Sequence, residues 1–116
     1  MTANKYIYIA GPYYSQGDVI ENVGRAIDAA EMLIGYGLIP FVPHLTFLWN
    51  FRRHHDLDYW YKYDLAWLAR CDCLLRLPGE SEGADREVEF AQAHEIPVFR
   101  STHDCVNWAW HGGIDG

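Results

Sequence analysis

A chain of 116 residues, half of them apolar, has material for one compact core but not for two, and sixteen acidic against nine basic residues leave a formal charge of −7. That charge disfavours a polyanion, and Arg52 and Arg53 are the only adjacent basic pair, so a small-molecule partner is expected rather than a nucleic-acid polymer. The opening Met1-Thr2-Ala3-Asn4-Lys5 lacks the apolar stretch of a secretory signal and no run approaches membrane-spanning length, so a cytoplasmic protein is expected.

Lys5 to Ala10 is β-branched and aromatic and ends at Gly11-Pro12, which predicts a buried first strand and a turn. Ile20, Val23, Ile27, Ala30 and Ile34 then recur at helical spacing, with Asp18 and Glu21 placed as a capping box and Gly35 and Gly37 as the stop. Leu38 to Pro43 predicts a second strand, which Pro40 confines to an edge or to its own beginning. His44 to Asp58 is aromatic, basic and irregular, and predicts a long functional loop with room for a short helical turn. A second helix is expected over 58–70 on a stripe of Leu57, Tyr61, Leu68 and Cys71, a third strand over 72–77, a third helix over 82–94 and a fourth strand over 96–99.

Strands alternating with helices predict an α/β domain over residues 1–100. Its core would be a small flavodoxin-like (Rossmann-like) parallel sheet of four to five strands with flanking helices. Ligands bind such sheets at the carboxyl ends of the strands, where the turns after strands one and three meet. Residues 101–116 read as a tail packing on the body or on a neighbouring subunit. Cys71, Cys73 and Cys105 read as reduced, buried thiols, with no metal site and no cofactor expected. His54-His55-Asp56 reads as an exposed polar loop rather than a ligand set.

Two acids stand out. Asp64 falls on the apolar stripe of the second helix, where an unpartnered charge would cost several kcal/mol. It is therefore either a satisfied structural carboxylate or a group overlooking a cleft. Glu87 borders the stripe Ala84, Val88 and Ala91 near a helix start, where the helix dipole favours a carboxylate anion. Gly11, Gly83 and Ser81 lie in turns whose N–H and hydroxyl groups suit an anion. Trp49, Trp60 and Trp67 are candidates to stack a base, Trp67 being expected in the core.

Tyr8-Ile9-Ala10-Gly11-Pro12, Asp64-Leu65-Ala66-Trp67-Leu68 with Asp72 eight positions after Asp64, and Ser81-x-Gly83-x-x-x-Glu87-x-x-x-Ala91 resemble three signature segments of the nucleoside 2-deoxyribosyltransferase-like superfamily. The resemblance spans residues 6–99. It implies a flavodoxin-like homodimer or higher homo-oligomer that acts on nucleosides or nucleotides. By that resemblance Glu87 is the nucleophile on the anomeric carbon, Asp64 the second catalytic acid, and Tyr8 a hydrogen-bond partner near the nucleophile. Ser81 and Gly83 would face a 5′-phosphate, and Gly11, with Pro12 beside it, the opposite wall; His44 would contact sugar or phosphate.

Transferases of the superfamily carry an acid where this chain has Ser81, whereas its monophosphate hydrolases carry serine. The expectation is therefore a hydrolase that cleaves the N-glycosidic bond of a (deoxy)nucleoside 5′-monophosphate through a glycosyl-Glu87 intermediate. Base exchange between deoxynucleosides is the alternative, and a non-catalytic nucleotide-binding module the second. One departure bears on phosphate recognition: Pro12-Tyr13-Tyr14-Ser15-Gln16 replaces the Ser and Arg that follow the first glycine in the hydrolases, leaving Arg25, Arg52 or Arg53 as substitutes.

Overall fold

The N-terminal run becomes β1 (Tyr6–Ala10), and strand alternation sends its residues to two faces: Ile7 and Ile9 pack into one apolar cluster, Tyr8 and Ala10 into another. A computed structural model describes residues 4–14 and 18–115, with the side chains of 112–115 outside the described set. Ser15 and Gln16, in the turn tied above to phosphate recognition, lie outside the described residues.

β2 (Ile39–Phe41), β3 (Cys73–Arg76) and β4 (Val98–Phe99) complete a four-stranded parallel sheet in the order β2-β1-β3-β4. β2 pairs with β1 alone, so Pro40 sits on an edge, where a missing N–H is tolerated. From β1 the chain moves to β2 on one side and later to β3 on the other. The carboxyl ends of β1 and β3 are thus the topological switch point of the sheet.

One face is covered by α1 (Val19–Gly35) and α5 (Thr102–Asp115), the other by α3 (Leu57–Leu68) and α4 (Glu82–Ala93). α1 begins as expected, Asp18 accepting from the Ile20 N–H at 2.9 Å. Its buried face is another matter. The residues turned inward are Asn22, Ala26, Ala30 and Leu33, whereas Ile20, Ile27 and Ile34 of the expected stripe are exposed. Alanines at 26 and 30 let the helix lie close on the sheet, so small side chains, not the isoleucines, define the contact.

The expected loop after β2 is mostly helical. A 3₁₀ turn (Pro43–Leu45) leads into α2 (Thr46–Arg52). Residues 54–56 are a largely exposed polar loop, as expected; within it Asp56 caps α3 through the Tyr59 N–H at 2.9 Å, and the His55 ring stacks on Tyr59 with centroids 4.2 Å apart. On α3 the apolar pattern predicts burial less well, since Leu57 is 73% exposed. Trp67 is not in the core; it is half exposed and stacks on Phe41 at the sheet edge.

Residues 102–115 form a helix where composition suggested no regular element, with Cys105 and Ala109 in the sheet-facing core and Trp110 Nε1 donating to the Tyr36 carbonyl at 2.9 Å. Cys73 and Cys105 are buried free thiols 3.8 Å apart, and Cys71 is a half-buried one. Among the described residues no helix is long and apolar enough to cross a membrane.

Candidate active site

A cavity of about 300 Å³ opens at the switch point, within the size range of small-molecule sites. Gly11, His44, Asp64, Ser81, Gly83 and Glu87 all line it, so six of the residues singled out in the sequence come together from four separate stretches of chain. Tyr8 lies behind the wall and Pro12 faces elsewhere, into a separate cavity of about 220 Å³ beside Asn22 and Arg25.

Glu87 reaches the cavity from the second turn of α4, whose start is fixed by Ser81 accepting from the Ala84 N–H at 3.1 Å. Because Tyr8 points to the α4 face of the sheet, its hydroxyl meets Glu87 Oε2 and donates a hydrogen bond of 2.6 Å inside the protein. Tyr8 is fully buried, and both burial and the neighbouring Glu87 hold its pKa well above the usual phenol value, so it remains a donor.

Burial also acts on Glu87. It raises the pKa from 4.5 to about 7, against the Tyr8 hydrogen bond and the charges of Arg76 and Arg86, which favour the anion. The expectation that a helix start would simply keep Glu87 ionised is therefore incomplete, because desolvation outweighs it.

Asp64 enters from α3. Its Oδ1 is buried with no hydrogen-bond partner among the described residues, and burial followed by repulsion from Glu87 pushes its pKa from 3.8 to about 8. Of the two readings left open for this residue, a group overlooking a cleft matches its place in the cavity lining. The two carboxyl groups thus oppose a second negative charge in the same cavity, and the charge on Glu87 is one of the causes that keep Asp64 protonated.

His44 is buried on the 3₁₀ turn, and its Nε2 donates to the Gly11 carbonyl at 3.2 Å. Burial pushes its pKa below the usual imidazole range, against the Gly11 and Pro12 carbonyls, which favours the neutral ring, and Nδ1 has no partner among the described residues. Gly11 has a packing reason as well: a Cβ there would stand 3.0 Å from Leu77 Cβ, where the ends of β1 and β3 meet. At Gly83, by contrast, a Cβ would meet nothing within 4 Å, so that backbone faces open space.

Several contributors escaped the sequence reading. Tyr13 and Tyr14 form an edge-to-face pair in the wall, and buried Asn22 of α1 holds their turn by donating to the Tyr13 carbonyl at 2.9 Å. Arg76, at the end of β3, is 5% exposed and donates to the Leu77 and Gly79 carbonyls and to Asp85 Oδ1, the last two at 2.9 and 3.0 Å. It ties the loop before α4 to the sheet; a positive φ of 111° at Gly79 lets that loop turn back. Asn50 of α2 also lines the cavity, and its side chain accepts a 2.7 Å hydrogen bond from Nε1 of Trp60, the α3 residue already singled out as a candidate to stack a base, which lines the cavity too. An arginine inside a strand pattern or an asparagine in an irregular stretch offers a sequence reader no periodic signal.

None of the arginines suggested as phosphate ligands lines this cavity: Arg25 faces the smaller one, and Arg52 and Arg53 are exposed on the surface.

Sheet order, flanking helices and the cavity at the switch point define a deoxyribosyltransferase-like fold. The chain superposes on a 2-deoxyribosyltransferase from the psychrotolerant bacterium Bacillus psychrosaccharolyticus with a TM-score of 0.62, over 88% of this chain and 90% of that one, at 17% identity. Residues 5–101 match the model of the family described as Domain of unknown function (DUF7768), and the chain belongs to that family. No curated protein matches it in sequence.

Proposed function

We propose that this protein cleaves the N-glycosidic bond of a nucleoside by way of a covalent ester between Glu87 and the sugar. The observation that carries the reading is the pairing, in one cavity, of a Tyr8-bound Glu87 with an Asp64 that holds its proton to about pH 8. Two carboxyl groups whose environments separate their pKa values are suited to opposite roles.

The Glu87 carboxylate attacks the anomeric carbon as the bond to the base nitrogen breaks, and Asp64 gives its proton to the departing base. Water, or the N–H of a second base, then attacks the same carbon. Asp64 takes the proton back, Glu87 leaves as carboxylate, and the product is the free sugar or a new nucleoside. The likeness in fold to a 2-deoxyribosyltransferase supports this class of chemistry.

Charge in the lining favours an uncharged nucleoside. The cavity carries Asp64, Glu82 and Glu87 and a neutral His44, and among the described residues no Lys or Arg, so a phosphate dianion would meet net repulsion. The second reading, hydrolysis of a nucleoside 5′-monophosphate, draws on Ser81 and the start of α4, whose hydroxyl and N–H groups suit an anion. The same reading includes a homodimer or larger homo-oligomer: Ile20, Ile27 and Ile34 are exposed two turns apart along α1, and Leu48 and Phe51 of α2 are 70% and 87% exposed.

Incubation of the purified protein with nucleosides and with their 5′-monophosphates, with and without a second free base, separates these outcomes by chromatography of the bases. Nucleoside turnover that disappears in Glu87→Ala is expected. Turnover of monophosphates alone selects the second reading, and no turnover of either sinks the proposal.

A further inference from the structure

The structure assigns Asn50 as the residue that reads the nucleobase: it offers the cavity hydrogen-bond donors only, and so selects a base carrying a ring carbonyl (an oxo base) over its amino-substituted counterpart. The inference rests on the nucleoside reading above.

The orientation of the Asn50 amide is determined by its neighbours. Its Oδ1 accepts from the His55 backbone N–H at 2.8 Å and from Trp60 Nε1 at 2.7 Å. Both partners are obligate donors, so the reversed amide would set NH₂ against two N–H groups. Two accepted bonds also occupy both lone pairs of the oxygen. The remaining group, Nδ2 with its two N–H bonds, lies on the far side of the amide, and it has no hydrogen-bond partner among the described residues.

Position ties this donor to the base rather than to the sugar. Trp60 is one helical turn before Asp64 on α3, a separation of about 5–6 Å between Cβ atoms, and Asn50 is bonded directly to Trp60. If Asp64 protonates the departing base, the base lies against Trp60 and within reach of Asn50. A free asparagine amide reads adenine with oxygen and nitrogen together. Here the oxygen is already engaged, so only an acceptor satisfies what is left, and an exocyclic amino group in that place would oppose donor to donor.

Asn50→Asp is nearly isosteric, keeps an oxygen for His55 and Trp60, and turns the donor into an acceptor. Calorimetric titration of wild type and variant with deoxyinosine, deoxyadenosine, deoxyuridine and deoxycytidine tests the assignment. Wild type is expected to bind each oxo member about tenfold more tightly than its amino partner, about one hydrogen bond's worth of discrimination. Asn50→Asp should reverse or abolish that preference while its thermal midpoint stays that of wild type.

Wild-type binding with no oxo preference overturns the inference and leaves the nucleoside reading standing, as does an unchanged preference in folded Asn50→Asp. Failure of wild type to bind any of the four removes both. If the variant does not fold, the wild-type preference decides alone.

Discussion

Two carboxyl groups in one low-dielectric cavity resist carrying two charges, and at neutral pH this one holds roughly one proton between Glu87 and Asp64. The proposed chemistry needs Glu87 ionised and Asp64 protonated. The profile of kcat/KM should therefore be a narrow bell, rising through about 7 and falling through about 8, as measured by initial rates of base release. Asp64→Asn should remove the falling limb and lower kcat by about 10²- to 10⁴-fold, the usual range for a lost general acid. Tyr8→Phe deletes the 2.6 Å bond that favours the Glu87 anion. The rising limb should then move upward by about one pH unit, since a hydrogen bond to a charged group is worth about 1.5–3 kcal/mol. An unmoved limb would mean that Tyr8 only fills space. Glu87 and Asp64 stood out in the sequence as acids that border or interrupt an apolar helical stripe, a pattern that left their structural and functional readings open; the family resemblance, not the stripe, gave them catalytic roles. Asn50 and Arg76 did not stand out, because their importance comes from partners that fold against them from elsewhere in the chain.

At the level of elements, α1 shows how a helical period can be recognised while its face is misassigned. Isoleucines and alanines share the same rhythm, and only the distance to the sheet decides which row is buried. Ala26 has no exposed surface and Ile27 is 39% exposed. Ala26→Leu should overpack the contact with the sheet and cost about 1–3 kcal/mol. Ile27→Lys should change monomer stability by no more than about 0.5 kcal/mol. Urea denaturation at low protein concentration measures both, and the reverse ranking would contradict the observed burial. The caps were easier to read: Asp18 was legible as the start of α1 because a short polar side chain before an apolar run acts locally. α5 was not, since its Trp, His and Gly residues become a helix by docking on α1 and β4 rather than through their own propensity.

For the whole molecule, the raised carboxyl pKa values couple function to stability. Both groups favour the neutral form in the fold, Asp64 at about 8 against 3.8 and Glu87 at about 7 against 4.5. Their contribution to stability is fully present below about 4 and is lost as pH rises through 7 and 8. The thermal midpoint of the free protein should thus fall between pH 5 and pH 9, and Asp64→Asn should flatten that fall; a midpoint independent of pH would contradict the desolvated pair. The sequence by itself determined the alternation of the four strands with α1, α3 and α4, the parallel sheet with its edge proline, and the position of two acids on or beside an apolar helical stripe, because alternation, helical period and turn residues are local properties of neighbouring positions. Only the tertiary structure decided which face of α1 is buried, that Tyr8 meets Glu87, that Asp64 faces the same cavity, and that Asn50 has spent its oxygen. These depend on distances between residues far apart in the chain, and such distances exist only once the sheet has brought its strand ends together.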